Sequence, residues 1–565
     1  MTKRFAIGTY AITLALFACF FLWPIAQILQ GGFFDQDGNF TIAFFLEVFQ
    51  NPIYLEGLFN AFSLAILSTV MALLLAIPLA FVFDRFQFPA KKLLGALIIL
   101  PIMLPPFVGA IGLRQLLGQF GAVNTTLMEL GLMNANHPID WLGGQGRFYG
   151  VAILNALSLY PILYLNAQAS LANIDPAMEE AAENLGCRGW KKFFTITLPL
   201  MRPGLFAGGT IVFIWAFTEL GTPLMFDYTR VTPVQIFNGI KDIGGNPFPY
   251  ALVGVMLIAS IGLYALGKGL FGRQNFAMMA KASHAAQPKV LSPLGRWACS
   301  GFFIAVIFIA MLPHLTVVVI SFSADWYQTV LPSSWTLQHY EIALGHQLTV
   351  PAIQNSLLYS SMAVVANVTL GIAIAYVIVR TKLPGRGALD AMAMLPLAVP
   401  GLVMAFGYLA MSQEGKLFGF LNPTENPTIL LVIAYAMRKL PFVVRSAVAG
   451  LQQTSETYEE AAQNLGCPPL RAALQITLPL IMANLLAGAL LAFSQCMLEV
   501  SDSLILAQKM EYYPITKAIY ELIGFLGSGR YLASALGVWA MVFLGVTIVG
   551  ASLLLGKKLG AIFRI

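Results

Sequence analysis

The sequence predicts an all-α integral membrane protein, with about twelve transmembrane helices forming two parallel six-helix repeats. Three observations carry this. Of 565 residues, 58% are hydrophobic and only 10% are charged, against roughly 25% charged in soluble domains. Apolar stretches long enough to cross a ~30 Å hydrocarbon core recur along the whole chain. One charged segment is also written twice, EEAAENLGCRGWKKFFTITLPL from Glu179 and EEAAQNLGCPPLRAALQITLPL from Glu459, identical at 13 of 22 positions.

The expected spans of the first half are 5–29, 58–83, 93–117, 148–172, 203–226 and 250–271; those of the second are 297–320, 355–379, 388–411, 428–450, 483–506 and 532–556. The first span follows Lys3 and Arg4 and exceeds the apolar region of a signal peptide, so it reads as retained. Short loops rich in Lys and Arg stay inside. With the amino terminus cytoplasmic, 22 basic residues fall at the inner face and 8 at the outer, with Arg438 and Lys439 inside a span. Both copies of the charged segment then face the cytoplasm. The net charge of +6 follows from this topology and implies no nucleic acid partner. Five scattered cysteines, Cys187 and Cys467 among them at matched places, read as packing residues.

The duplication runs through the chain. Asn60, Arg85, Pro89, Pro101 and Pro105 match Asn355, Arg380, Pro384, Pro396 and Pro400 at an offset of 295, and Pro161 matches Pro441 at 280. The first half therefore carries 15 extra residues near Asn134–Phe148. The expected organisation is a first unit over 1–271 with its loop at 175–200, a cytoplasmic linker over 272–294, and a second unit over 295–565 with its loop at 455–480. Six spans per half make the repeats parallel, with a pathway expected at their interface. Matched prolines inside spans predict bends at Pro101 and Pro396.

Asp175-Pro176 is a helix start and Gly186 a stop, so AMEEAAENL reads as a short helix, followed by a second helix through Trp190 to Thr197 that ends at Leu198-Pro199. Glu180, Ala181, Ala182 and Gly186, repeated as Glu460, Ala461, Ala462 and Gly466, combine small residues with one carboxylate. That is a knob a partner backbone can approach closely. Taken alone, a helix–glycine–helix loop could equally be structural.

Both copies fit EAA, three residues, Gly, nine residues, then I-x-L-P. This resembles the EAA loop in the permease subunits of bacterial binding-protein-dependent ABC importers, and the likeness covers essentially the whole chain as two fused permease units. The resemblance implies the type I importer permease fold, a multi-pass place in the bacterial inner membrane, and eight coupling residues: Glu180, Ala181, Ala182, Gly186, Glu460, Ala461, Ala462 and Gly466. It also implies two copies of a cytoplasmic ATPase, an extracytoplasmic substrate-binding protein, and ATP and Mg2+ used by the ATPase, with no cofactor or metal in this chain. No GxxxxGK[ST] loop occurs, so the chain is not expected to be an enzyme. Leu142-Gly143-Gly144-Gln145 resembles part of the ABC signature but reads as a turn.

Ionisable residues within spans are functional hypotheses. Glu219 and Glu499 match at 280, Asp502 lies one turn beyond Glu499, and Arg438 and Lys439 lie partway along the tenth span. These five line a translocation pathway, form internal ion pairs, for instance Glu499 with Arg438, or, for the carboxylates, simply reach the outer headgroups. The pattern, including RKLPFVVRS and LEVSDSLIL, looks most like ferric-iron importers, while thiamine and 2-aminoethylphosphonate importers share the fused design. A secondary transporter driven by an ion gradient also suits twelve spans with internal repeats. Against it, the loop after the second span lacks the glycines that the major facilitator motif puts around Asp84-Arg85.

Overall fold

A computed structural model describes residues 3–35, 37–240, 246–271 and 289–555. The principal helices in chain order are α1 (Phe5–Phe33), α2 (Pro52–Arg85), α3 (Lys91–Met103), α4 (Pro106–Leu117), α5 (Gly146–Ala172), α6 (Pro176–Asn184), α7 (Leu198–Phe217), α8 (Phe248–Phe271) and α9 (Pro293–Phe322). They continue as α10 (Thr349–Arg380), α11 (Arg386–Ala398), α12 (Gly401–Met411), α13 (Thr428–Gln453), α14 (Thr457–Asn464), α15 (Leu478–Met497), α16 (Ser501–Leu506) and α17 (Gly529–Leu555).

Among the described residues, nine helices are long and apolar enough to cross a membrane, and two bent pairs bring the number to eleven. The remaining expected span, 428–450, is α13. Its Arg438, Lys439 and Arg445 lower its apolarity, but its 26 residues reach ~39 Å at 1.5 Å per residue. Most of the predicted linker over 272–294 lies outside the described residues.

Two expectations about breaks need correction. The bends fall at the second proline of each matched pair: α3 turns 93° into the helix from Pro106, and α11 turns 96° into α12. Leu104 and Val399, the residues just before Pro105 and Pro400, are extended there, because the ring of a following proline pushes its predecessor out of the helical region. At Pro101 the helix Lys91–Leu97 gives way through a turn at Ile98–Ile99 to a new short helix, Leu100–Met103, whereas Pro396 sits inside α11 and does not end it. The fifth spans also stop early. α7 ends at Phe217 and α15 at Met497, and each is followed by a short separate helix, Gly221–Met225 and α16.

The chain forms two compact units that are not the two sequence halves. One holds the described residues of Met1–Tyr54, Gln235–Ile258 and His339–Ile565. Its centre is α10 against α13 and α15. α1 joins it by packing on α12, where Gly407 lies against Pro24 and Ile28 and the Tyr408 hydroxyl donates to the Phe20 carbonyl at 2.8 Å. The other unit holds Leu55–Val234 and the described residues of Ala259–Gln338. There α7 packs on α5, and α9 packs on α4 so closely that a side chain at Gly112 would overlap the Pro313 carbonyl oxygen. Thus α1 packs among second-half helices and α9 among first-half helices.

The extra segment of the first half is built into this second unit. The buried Asn124 amide donates to the carbonyls of Gln119 at 2.8 Å and Ile139 at 2.6 Å, and accepts from the Trp141 indole at 2.6 Å. Leu142-Gly143-Gly144-Gln145 is a turn, with Gly144 at φ +52°.

Candidate coupling loops and a buried charge cluster

The two matched loops fold alike. Asp175 caps α6 by accepting the Ala177 N–H at 2.9 Å, with Pro176 as the first helical residue. α14 starts without a side-chain cap. Gly186 and Gly466 stop these helices at φ +83° and +89°, a left-handed conformation costly for any residue with a Cβ.

The second loop helix does not end at Leu198-Pro199, as the sequence had suggested. From Gly189 the chain stays helical into α7, passing through one wide π turn at Phe193–Thr197. The matched turn is Ala473–Thr477. Each precedes a proline whose missing N–H and ring open the helical ladder, and the residue before it, Leu198 or Leu478, bonds five residues back.

Of the eight predicted coupling residues, Glu180, Ala181, Gly186, Glu460, Ala461 and Gly466 are exposed, whereas Ala182 is buried and Ala462 half-buried. The two latter alanines therefore pack inward. Sequence reasoning missed the most exposed apolar groups of these two loops: Leu185 and Leu465, just before the glycines, are 88% and 90% exposed. Trp190 and Phe194 extend this surface in the first loop, and Leu470 and Leu474 in the second.

Also missed were the buried carboxylates Glu179 and Glu459, 5% and 6% exposed. Glu179 pairs with Arg85 of α2 at 2.7 Å and with Lys192 at 3.9 Å, and accepts from the Thr197 hydroxyl at 2.8 Å. Glu459 pairs with Arg380 of α10 at 3.7 Å, accepts from the Tyr376 hydroxyl at 2.8 Å, and accepts from Thr477. The signal was present in the sequence: Glu179 and Ala182 are three apart and share one face of the short helix.

The structure brings four of the five intramembrane charges together. Glu499, at the break between α15 and α16, pairs with Arg438 and also with Lys439 at 2.9 Å. Arg438 reaches Asp502 at 3.1 Å. Its guanidinium occupies space that a side chain at Gly401 would fill, at the start of α12. Burying these ions is tolerable because two cations face two carboxylates. Glu219 lies in the other unit at the matched break, where its Oε1 accepts from the Thr222 N–H at 3.1 Å. At the 280 offset, Ser158, Leu159 and Thr222 stand in the first half where the second half has Arg438, Lys439 and Asp502. Among the described residues no group of three or more His, Cys, Asp or Glu side chains is arranged to hold a metal ion.

A helical membrane protein in which one plan appears twice, each copy ending a broken span near an acid and each offering a glycine-stopped loop, has the build of a transporter's membrane subunit. Comparison with known families makes this specific. The family model described as binding-protein-dependent transport system inner membrane component matches residues 72–274 and again 367–553, and the chain belongs to that family. It is a multi-pass inner membrane permease.

Similar relatives include the ferric transport system permease protein FbpB of Actinobacillus pleuropneumoniae, 27% identical over 526 residues, covering 88% of this chain and 71% of that protein. The Fe(3+)-transport system permease protein FbpB 2 of Haemophilus influenzae is 24% identical over 482 residues, covering 84% and 86%. The spermidine/putrescine transport system permease protein PotB of Haemophilus influenzae is 29% identical over 222 residues, covering 38% of this chain and 75% of its own length. Among solved structures, a bacterial ABC transporter that imports the acidic polysaccharide alginate matches at TM-score 0.37 and 16% identity, over 47% of this chain and 98% of that one.

Proposed function

We propose that this chain is the fused permease of an ATP-driven importer for ferric iron. Substrate arrives on an extracytoplasmic binding protein, two cytoplasmic ATPase subunits bind ATP and Mg2+, and α6 and α14 seat in them. In this reading the amino terminus is cytoplasmic, the chain itself hydrolyses no ATP, and it holds no cofactor. Glu180, Ala181, Gly186 and Leu185 form the seat for one ATPase, and Glu460, Ala461, Gly466 and Leu465 the seat for the other. Ala182 and Ala462 let each loop helix lie close to its own span.

The observation that carries the reading is the pair of nearly fully exposed leucines, Leu185 and Leu465, at matched glycine-stopped turns. An isolated exposed leucine is ordinary, but two at equivalent places in a duplicated chain mark a repeated contact. Iron as cargo rests on the long matches to ferric transport permeases.

The test is uptake by proteoliposomes holding the permease and its ATPase, supplied with binding protein loaded with ferric iron, thiamine or 2-aminoethylphosphonate. Iron uptake that needs internal ATP supports the proposal. Uptake of another of these ligands overturns the cargo, and accumulation driven by a proton or sodium gradient without the ATPase overturns the mechanism.

A further inference from the structure

We infer that the buried carboxylates Glu179 and Glu459 are positioning residues that lock each loop helix to the end of a long span, so that displacing the loop moves that span as one body. The inference rests on the docking role proposed above and names the parts that carry the motion inward.

The spans concerned are unusually long. α2 has 34 residues and α10 has 32, about 51 Å and 48 Å at 1.5 Å per residue, against a hydrocarbon core of ~30 Å. Their last residues, Arg85 and Arg380, have length to spare beyond the core, and both meet the carboxylate of the loop helix in their own unit. The third segment at each site is the wide turn before α7 or α15, through Thr197 or Thr477. One carboxylate thus ties together a long span, a loop helix and the start of the next span. A buried carboxylate without partners is costly, so the three segments are held to move together.

The two sites satisfy this need differently. Glu179 draws a further cation from the loop, Lys192, where the second half has Ala472. Glu459 draws a hydroxyl from the span, Tyr376, where the first half has Phe81. Each carboxylate therefore accepts two hydrogen bonds, Glu179 from Arg85 and Thr197 and Glu459 from Tyr376 and Thr477, and has one more cation at ion-pair distance, Lys192 at 3.9 Å or Arg380 at 3.7 Å, so that the non-threonine donor comes from non-equivalent positions. A side chain that merely filled space would not require a replacement donor. A carboxylate–arginine ion pair recurs in both units, hydrogen-bonded at 2.7 Å for Arg85 and looser at 3.7 Å for Arg380, whose guanidinium also holds the Thr454 carbonyl at 2.7 Å.

The test uses the complete complex in proteoliposomes and reads three quantities: ATPase subunits retained on purification, ATP hydrolysis stimulated by loaded binding protein, and substrate imported per ATP. Glu179→Gln and Glu459→Gln are expected to keep both ATPases bound while import per ATP falls at least tenfold. The exchange Arg85→Glu with Glu179→Arg should restore part of it. Lys192→Ala and Tyr376→Phe should give intermediate losses, each confined to its own site. Arg85→Lys, which keeps the charge but loses the forked reach, should also lower import per ATP, and it carries the comparison if Glu179→Gln does not reach the membrane. Unchanged import per ATP in the glutamine variants overturns the inference. So does a loss of ATPase binding as large as the loss of import, because the carboxylates would then only shape the docking face. Failure of the unaltered chain to retain any ATPase refutes the docking proposal instead.

Discussion

Arg438→Met is the sharpest test of the buried charge cluster. The substitution keeps much of the side-chain volume but removes the cation that faces both Glu499 and Asp502. Glu499 retains Lys439 at 2.9 Å, whereas Asp502, wholly buried, loses the cation at 3.1 Å. At that separation the bare attraction is about 5 kcal/mol for an effective dielectric of ~20, most of it offset by desolvation. Removing one partner leaves a buried acid exposed to that desolvation without compensation, and the expected loss is about 3–5 kcal/mol. That is a large part of the ~5–15 kcal/mol by which a domain is stable. Arg438→Met should therefore lower yield and the midpoint of thermal unfolding in detergent, followed by fluorescence-detected size exclusion. Arg438→Met combined with Asp502→Asn removes the orphaned charge and should recover more than half of the loss. A single variant that unfolds with the parent midpoint, or a double variant no better than the single, would refute the reasoning.

Three further outcomes follow from the geometry. A side chain at Gly186 or Gly466 meets no atom within 4 Å, so the obstacle is the positive φ alone. Gly466→Val should thus cost about 1–2 kcal/mol locally and abolish uptake with the chain still in the membrane, whereas Gly466→Asn, which tolerates the left-handed region, should retain most of it. Gly112→Ala forces apart α4 and α9 at the Pro313 carbonyl and should lower thermal stability by about 1–3 kcal/mol, read as an earlier melt. Asn124→Ala removes three hydrogen bonds to partners on exposed residues, at about 0.5–1.5 kcal/mol each; limited proteolysis should then cut faster between residues 134 and 148.

The sequence announced the spans because hydropathy over about 20 residues is a strong signal, and it announced the loops because Asp175-Pro176 and the glycines act locally. The helix α13 forms where a span was expected, although three basic residues keep it from being as apolar as the other spans. What local reading could not supply was partnership. Arg85 and Arg380 were recognised as matched, but nothing in their neighbourhood shows that they meet acids 94 and 79 residues later. The EAA pattern drew attention to Glu180 and Glu460, while the residue just before each, turned about 100° toward the protein, carries the buried bond. The packing of α1 on α12 and of α9 on α4 is equally invisible, because the first spans carry no matched motif and their apolar faces fit many neighbours. The breaks at Glu219 and Glu499 were hidden inside apolar runs that continue past them. The pairing of Glu499 with Arg438 depends on the spatial proximity of α13 to the break before α16, which local reading does not supply.

The central claim is that force enters through two equivalent loops, and native mass spectrometry of the complex purified with its ATPase tests it most directly. Two ATPase subunits per chain are expected, falling to one in Leu185→Asp, to one in Leu465→Asp, and to none when both are changed. Two subunits retained by the doubly altered chain, or only one bound to the unaltered chain, would contradict the account.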